Sequence, residues 1–205
     1  MNDSKLAELA LLISGWPGLV SAPAEDLIED SLVLLDHLGE ARTVVDVGSG
    51  GGLPGLPLKI ARPYLQVTLV EADERKAAFL VHAAAHLGLS GVAVIAQRAE
   101  VAGQDPTLRE SFDLAVARAL APMPVLVELC LPFVRVGGRL YAQKTEAEDL
   151  TPALRAIGLL GGGAPQVLPA RSRARRSGTI VVVPKISPTP KAYPRRPGMP
   201  AGKPL

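Results

Sequence analysis

Cysteine is almost absent: Cys130 is the single thiol among 205 residues, so no internal disulfide can form and a secreted disulfide framework is excluded. It lies in the apolar run Leu126–Val134 and reads as a small buried apolar residue. Aromatic residues are only 3%, so the core has to be built from Ala, Val, Leu and Ile. No apolar run reaches the roughly 18 residues of a membrane helix. The longest uncharged stretch near the start, Leu9–Ala24, is cut by Gly15, Pro17 and Gly18, and Asp3, Lys5 and Glu8 do not make a basic leader. A cytoplasmic protein with no membrane partner is the expectation. Acidic residues vanish after Asp149.

Hydrophobic residues at 48% and charged residues at 20% are ordinary globular usage, which excludes a mostly disordered chain. A chain of this size can bury roughly 70% of its unfolded surface. The 20 glycines and 19 prolines require many turns. The net charge of +2 hides an asymmetry. Residues 1–149 carry 12 basic and 20 acidic residues, a net of −8, whereas residues 150–205 carry 10 basic residues and no acid, a net of +10. A basic block on an acidic body suggests a polyanion partner.

Lys5–Ile13 and Glu25–Leu38 are apolar at helical spacing, separated by Gly15-Trp16-Pro17-Gly18. Trp16 reads as a staple for these helices. The texture then changes. Five short β-rich runs follow: Thr43–Val47, Gln66–Glu71, Val92–Ala96, Phe112–Ala117 and Gly138–Gln143. Helical stretches at Gly55–Ala61, Glu74–Leu87 and Ala121–Leu131 lie between them. Strands alternating with helices predict an α/β fold with a mostly parallel sheet and helices on both faces. Gln166–Leu168 and Thr179–Val183 read as late antiparallel strands joined by the Arg-rich turn Arg171–Arg176. Six prolines after residue 187 keep the end of the chain from a regular helix or an inner strand. The expected organisation is an N-terminal helical extension over 1–40, an α/β domain over 41–185 and a basic Pro-rich tail over 186–205.

The strongest chemical signal is Asp46-Val47-Gly48-Ser49-Gly50-Gly51-Gly52-Leu53-Pro54-Gly55, which follows a strand and opens a helix. Glycines allow a ligand to approach the backbone closely and permit positive φ. Glu71 ends the next strand, where an acid can accept hydrogen bonds from ribose hydroxyls. Two cofactors fit the pattern. Gly50-x-Gly52-x-x-Gly55 satisfies the dinucleotide pattern, which alone is weak. Asp46 favours a cationic cofactor, because a carboxylate beside the loop suits the amino group of a methionine moiety and would repel a pyrophosphate. Asp-x-Gly-x-Gly-x-Gly resembles motif I of class I S-adenosylmethionine methyltransferases, with their Rossmann-like fold. An NAD-dependent oxidoreductase, and an RNA-binding assembly factor without turnover, are the rival readings.

The longer string Val45–Leu58 resembles the bacterial small-subunit ribosomal RNA guanine-N7 methyltransferases, the RsmG (GidB) family. Arg75-Lys76-Ala77-Ala78-Phe79-Leu80, Arg98-Ala99-Glu100, Ala117-Arg118-Ala119 and Thr189–Gly198 with Lys203-Pro204-Leu205 agree in order. The family's His-x-x-Asp-Ser-Leu segment is Leu27–Leu32 here, without the His. The resemblance implies methyl transfer from S-adenosylmethionine to N7 of a guanine in the decoding region of 16S ribosomal RNA, with that RNA or the small subunit as partner. It further implies that Gly48, Ser49, Gly50 and Leu53 line the methionine and ribose side. Glu71, Ala72 and Asp73 would hold the ribose and the near side of adenine, Ala99 and Glu100 would meet adenine, and Arg118 would sit between cofactor and RNA.

Guanine N7 carries no proton, so the transfer needs no general base and rests on alignment and electrostatics. Arg118 and Lys144, each just beyond a predicted strand, are candidates for orienting guanine through O6. Arg171, Arg173, Arg175, Arg176, Lys185, Lys191, Arg195, Arg196 and Lys203 are candidate phosphate contacts. Tyr193 could stack a base or pack on the body. His82 and His86 have metal-compatible spacing but no third ligand, so no metal site is expected. A monomer is expected.

Overall fold

Runs rich in Val, Ile and Ala with few polar interruptions suit strands covered on both faces. Such runs form one seven-stranded sheet in the computed structural model, which describes residues 2–146 and 148–205. β1 (Thr43–Val47), β2 (Gln66–Val70), β3 (Val92–Ile95), β4 (Phe112–Arg118) and β5 (Val134–Lys144) are parallel. β7 (Thr179–Pro184) runs antiparallel to β5, and β6 (Gln166–Pro169) antiparallel to β7. The order β3-β2-β1-β4-β5-β7-β6 reverses direction between β1 and β4. That reversal opens a crevice at the carboxyl ends of the strands, where ligands bind in open α/β sheets.

The helices are α1 (Asn2–Ser14), α2 (Ala24–Leu32), α3 (Gly55–Ala61), α4 (Glu74–His86), α5 (Ala99–Ala102), α6 (Met123–Cys130), α7 (Leu154–Leu159) and α8 (Met199–Gly202). Side-chain alternation along β1 sends Val44 to one face and Val45 and Val47 to the other. The first face packs on α1 to α4 through residues such as Leu9, Ile13, Leu56 and Phe79. The second packs on α6 and α7 through Leu126, Cys130 and Ile157. Burial pushes the Cys130 thiol far above its ordinary range, which makes it inert packing. The helical extension over 1–40 shares its core with the sheet, since Leu9, Ile13 and Leu34 belong to the cluster that contains Val67 and Leu69. Trp16 packs edge-on to Phe79 of α4, with ring centroids 5.4 Å apart, and joins the extension to the sheet layer.

Several elements differ from expectation. The helix predicted to Leu38 ends at Leu32 and tightens into a 3-10 turn over Val33–His37. β5 begins four residues early at Val134, and its register against β4 shifts between Phe112 and Leu114. α5 and α7 are too short to show helical periodicity.

The Pro-rich end is a strap rather than a loose tail. Proline offers a carbonyl without an N–H, so side-chain donors from the body can meet the strap's acceptors. Arg109 Nη1 donates to the carbonyls of Gly103 (3.0 Å) and Tyr193 (2.7 Å), and Nη2 to those of Thr189 (2.8 Å) and Pro190 (3.1 Å). Gln104 donates to the Pro194 carbonyl at 2.8 Å. Tyr193 and Leu205 pack on the second core cluster, so Tyr193 is a packing residue here. The single turn α8, with Pro200 inside its first turn, is the one helical piece after residue 187.

Asp113 fixes the start of β1 to the start of β4. Its Oδ2 accepts from the backbone N–H groups of Arg42 (2.8 Å) and Thr43 (2.9 Å), and its Oδ1 from Arg135 (2.8 Å). Burial alone would raise this carboxyl, but these bonds hold it down at about 2. A depressed carboxyl stabilises the fold above its unfolded value and loses that contribution as pH falls through the folded one. Asp113→Ala should therefore cost about 2 kcal/mol at neutral pH. The gap from wild type should close between about pH 4 and about pH 2, as read by urea unfolding at each pH.

Candidate active site

The glycine segment forms the floor of a cleft of about 690 Å³ at the carboxyl edge of the sheet. Gly48 and Ser49 donate their N–H groups to the Val70 carbonyl at 2.9 and 3.1 Å, which ties the loop to the end of β2. Gly48 has φ +72°, and a Cβ there would lie 2.5 Å from Leu120 Cδ1. Gly55 is needed for close approach: a Cβ would stand 2.8 Å from Asp46 Oδ2 and 2.6 Å from Leu69 Cδ2. Gly48, Ser49, Gly50 and Leu53 line the cleft from the loop, Glu71 and Ala72 from the end of β2, Ala99 and Glu100 from α5, and Arg118 from β4.

The acidic residues divide by what they hold. Asp46 is fully buried beneath the loop rather than in the cleft wall, and its Oδ2 accepts the Gly55 N–H at 2.8 Å. Its Oδ1 is buried with no partner among the described residues. Burial pushes this carboxyl up to about 7, against the Gly55 bond and the Arg118 charge. Glu71 Oε2 accepts the Gly50 N–H at 2.8 Å and Oε1 the Asp73 N–H at 2.9 Å. Two bonds leave lone pairs on both oxygens for a ligand. Asp73, expected at the ribose, instead caps α4: its Oδ1 accepts from the N–H groups of Arg75 and Lys76. Glu100, expected at adenine, turns its carboxylate to Arg98 (2.9 Å) and the Gly198 N–H of the strap (2.9 Å). Burial raises the Glu100 carboxyl, but these bonds outweigh it and hold the group below its usual range.

Arg118 ends β4 at the mouth of the cleft, and the next residue, Ala119, holds a positive φ of 53°. Such a conformation persists in a non-glycine residue only where its surroundings enforce it. Burial lowers the Arg118 guanidinium from its usual range, opposed by the charges of Asp30 and Asp46. Its Nε is buried with no partner among the described residues. Lys144, expected to orient a base, is committed elsewhere: Nζ donates to the Ala121 carbonyl at 2.9 Å and pairs with Glu148 at 2.7 Å. It braces the segment after β4.

The far wall is the segment around Gly18-Leu19-Val20, which the family resemblance marks as standing in for an Asn-Leu-Thr segment. Leu19, Val20 and Ser21, between α1 and α2, face the glycine loop, with Val20 Cγ1 3.3 Å from the place of a Gly51 Cβ. Gln97 and Lys76, the latter within the Arg75–Leu80 segment, also line the cleft.

The basic block splits in two. Arg175, Lys185 and Arg195 are corrected from phosphate contacts to internal cations. Arg175 is 6% exposed; its Nε pairs with Asp30 at 2.6 Å, and its Nη1 donates to the carbonyls of Thr179 (3.0 Å) and Lys144. Lys185 is 1% exposed and bonds Leu131 O, Thr189 Oγ1 and Glu110. Arg195 holds buried Glu128 through Nε (2.9 Å) and Nη2 (2.7 Å). Arg173 is exposed but pairs with Glu29 and Asp26. Arg171, Arg176, Lys191, Arg196 and Lys203 are exposed, with no ion pair among the described residues. Because Thr179 pairs with Lys144, the turn carrying Arg171 and Arg176 sits at the same strand ends as the cleft. His86 pairs with Glu8 at 2.8 Å, and His82 packs beside Trp16.

Known proteins resemble this chain in sequence and in fold. The GidB family, described as rRNA small subunit methyltransferase G, matches residues 22–166. "Ribosomal RNA small subunit methyltransferase G" of Moorella thermoacetica is 47% identical over 184 residues, covering 86% of this chain and 75% of that one. The protein of the same name from Roseiflexus castenholzii is 48% identical over 164 residues, covering 79% and 70%. Among solved structures, an O-methyltransferase from Bacillus cereus in complex with SAH superposes with a TM-score of 0.63 at 20% identity, covering 89% and 91%. A predicted O-methyltransferase from Agrobacterium tumefaciens gives 0.60 at 16%, covering 79% and 81%. The fold is that of class I methyltransferases.

A carboxyl raised to about 7 keeps a proton in the folded state that the unfolded chain has lost, so Asp46 erodes stability as pH rises from about 4 to about 7. Asp46→Asn retains the Gly55 bond and removes the titration. Its stability relative to wild type should rise by roughly 2–4 kcal/mol between about pH 4 and about pH 8 in urea unfolding. A constant difference across that range would contradict the burial of an ionisable group here.

Proposed function

The chain belongs to the ribosomal RNA small subunit methyltransferase G family, and from that premise we propose that it methylates N7 of a guanine in the decoding region of 16S ribosomal RNA. S-adenosylmethionine is the methyl donor. The observation that carries this reading is one strand edge that brings together a glycine loop over a buried acid, a ribose-competent carboxylate and exposed arginines.

The residues present suit this donor. Asp46, with Oδ1 unpartnered among the described residues, leaves an acceptor beneath the loop that suits an amino donor better than the oxygens of a pyrophosphate. This disfavours the dinucleotide reading. Glu71 keeps lone pairs for ribose hydroxyls, while its bonds to Gly50 and Asp73 hold it in place. Ala72 and Ala99 offer an apolar slot for adenine. Bound S-adenosylmethionine supplies a methyl carbon on a cationic sulfonium, which the N7 lone pair takes as the carbon–sulfur electron pair returns to sulfur. No residue has to remove a proton. The chain's work is alignment, with Arg118 donating to guanine O6 while leaving N7 free. Lys144 acts as a positioning residue by holding the Ala121 carbonyl. Arg171, Arg176, Lys191 and Arg196 meet phosphates beside the cleft.

Transfer from labelled S-adenosylmethionine to small-subunit RNA and to particles from cells lacking the enzyme should give N7-methylguanosine at a single position. Labelled product at another atom, or none on either substrate despite intact cofactor binding, would refute the assignment. Glu71→Ala should weaken cofactor binding by about 100-fold or more while far-UV circular dichroism stays native. Arg118→Ala should retain cofactor affinity and lose transfer. RNA affinity should fall steeply with salt, and the Arg176→Ala, Arg196→Ala pair should reduce the log–log slope by about 2.

A further inference from the structure

A second cavity of about 240 Å³ adjoins the cofactor cleft and shares Leu27, Arg118 and Ala119 with it. Its remaining wall includes Gln143 at the end of β5 and Arg175. Gln143 is 2% exposed. Its Nε2 donates to the Asp30 carbonyl at 2.8 Å, which fixes the amide orientation, because a carbonyl can face only the NH₂ end. Oε1 is then buried with no partner among the described residues. Arg118 Nε, on the wall common to both cavities, is likewise unpartnered among them. One cavity is thus lined by three side chains with unused polar atoms among the described residues: the Gln143 acceptor and donors on Arg118 and on Arg175, through its Nη2. Buried polar groups are normally paired, so an unused acceptor with unused donors around one cavity points to a ligand that completes them.

Resting on the proposed function, we propose that this cavity receives the target guanine and that Gln143 is a specificity-determining residue, its Oε1 accepting a proton from the Watson–Crick edge. The order of groups around the base matches the order of groups in the wall. Passing away from N7, guanine presents the O6 acceptor, then the N1–H donor, then the N2 amino donor. Passing away from the cofactor cleft, the wall presents the Arg118 donor, shared with that cleft, and then the Gln143 acceptor, which lines only the second cavity. Adenine presents a donor at position 6 and an acceptor at N1 and mismatches both. Neither protein atom is exposed to solvent, so base entry includes a shift of the side-chain ends, as is common at interfaces.

The test compares wild type with Gln143→Met, which is close in volume and lacks the acceptor. Substrate RNAs carry guanine or 2-aminopurine at the target position. 2-Aminopurine keeps N7 and the N2 amino group but lacks O6 and N1–H. Wild type should prefer guanine by about 10-fold or more in kcat/KM. Gln143→Met should bind S-adenosylmethionine normally, lose about 10-fold or more on guanine, and show a correspondingly smaller preference over 2-aminopurine. A lower rate with unchanged preference, or unchanged kinetics, would overturn the assignment. Should the variant fail to fold, the wild-type pair of RNAs still decides, since equal turnover of the two bases overturns the proposal. Absence of any transfer by wild type to the guanine RNA refutes the proposed function itself, whereas transfer without base preference refutes the pocket alone.

Discussion

Carboxylates that hold backbone N–H groups organise the carboxyl edge of this sheet. Asp46 holds Gly55, Glu71 holds Gly50 and Asp73, and Asp73 holds Arg75 and Lys76. The amides at these turns and helix starts have no intrahelical partner, and leaving them unpaired near a buried crevice would be costly. The chain meets them with short acidic side chains placed at strand ends. The glycine loop is thereby fixed before any ligand arrives. A preorganised loop spends less binding free energy on ordering when the ligand binds. The oxygens left to accept from a ligand, on Glu71 and Asp46, belong to the same groups that hold the loop.

A second set of charges ties the periphery to this edge. Asp30 on α2 anchors Arg175 and Ser172 of the basic turn, and its carbonyl fixes Gln143 on β5. Glu128 on α6 anchors Arg195, and Glu100 on α5 anchors Gly198, so the strap lies against the α5 wall of the cleft. Buried pairs of this kind add little net stability over apolar contacts, yet breaking one partner is expensive. They therefore work as registers that hold the helical extension, the basic turn and the strap at one geometry. The part of the basic block left exposed is available to a polyanion.

Much of this architecture was readable from residue pattern. Short apolar runs alternating with helical stretches marked the five parallel strands, and Asp46 through Gly55 marked the glycine loop, because strands covered on both faces and positive-φ turns leave local traces. α5 and α7 left none, being shorter than two helical turns. The structural partners of Asp73 and Lys144 were not legible for a shared reason. A charged residue beyond a strand end looks the same in sequence whether it faces a ligand or caps a neighbouring backbone. The same ambiguity made Arg175, Lys185 and Arg195 look like surface cations, since their partners Asp30, Glu110 and Glu128 lie 145, 75 and 67 residues away in the chain.

Sequence alone determined the α/β class, the glycine loop with its acid, the charge division and the family. Each depends on neighbours within a few residues or on a composition that needs no folding to count. Tertiary structure alone decided which charges remain without an ion pair among the described residues and that the Pro-rich end is a strap. It also decided that the loop between α1 and α2 closes the cleft and that Gln143 and Arg118 line one cavity. Those outcomes rest on long-range burial, where desolvation forces a charge to find a partner and packing decides which partner is in reach.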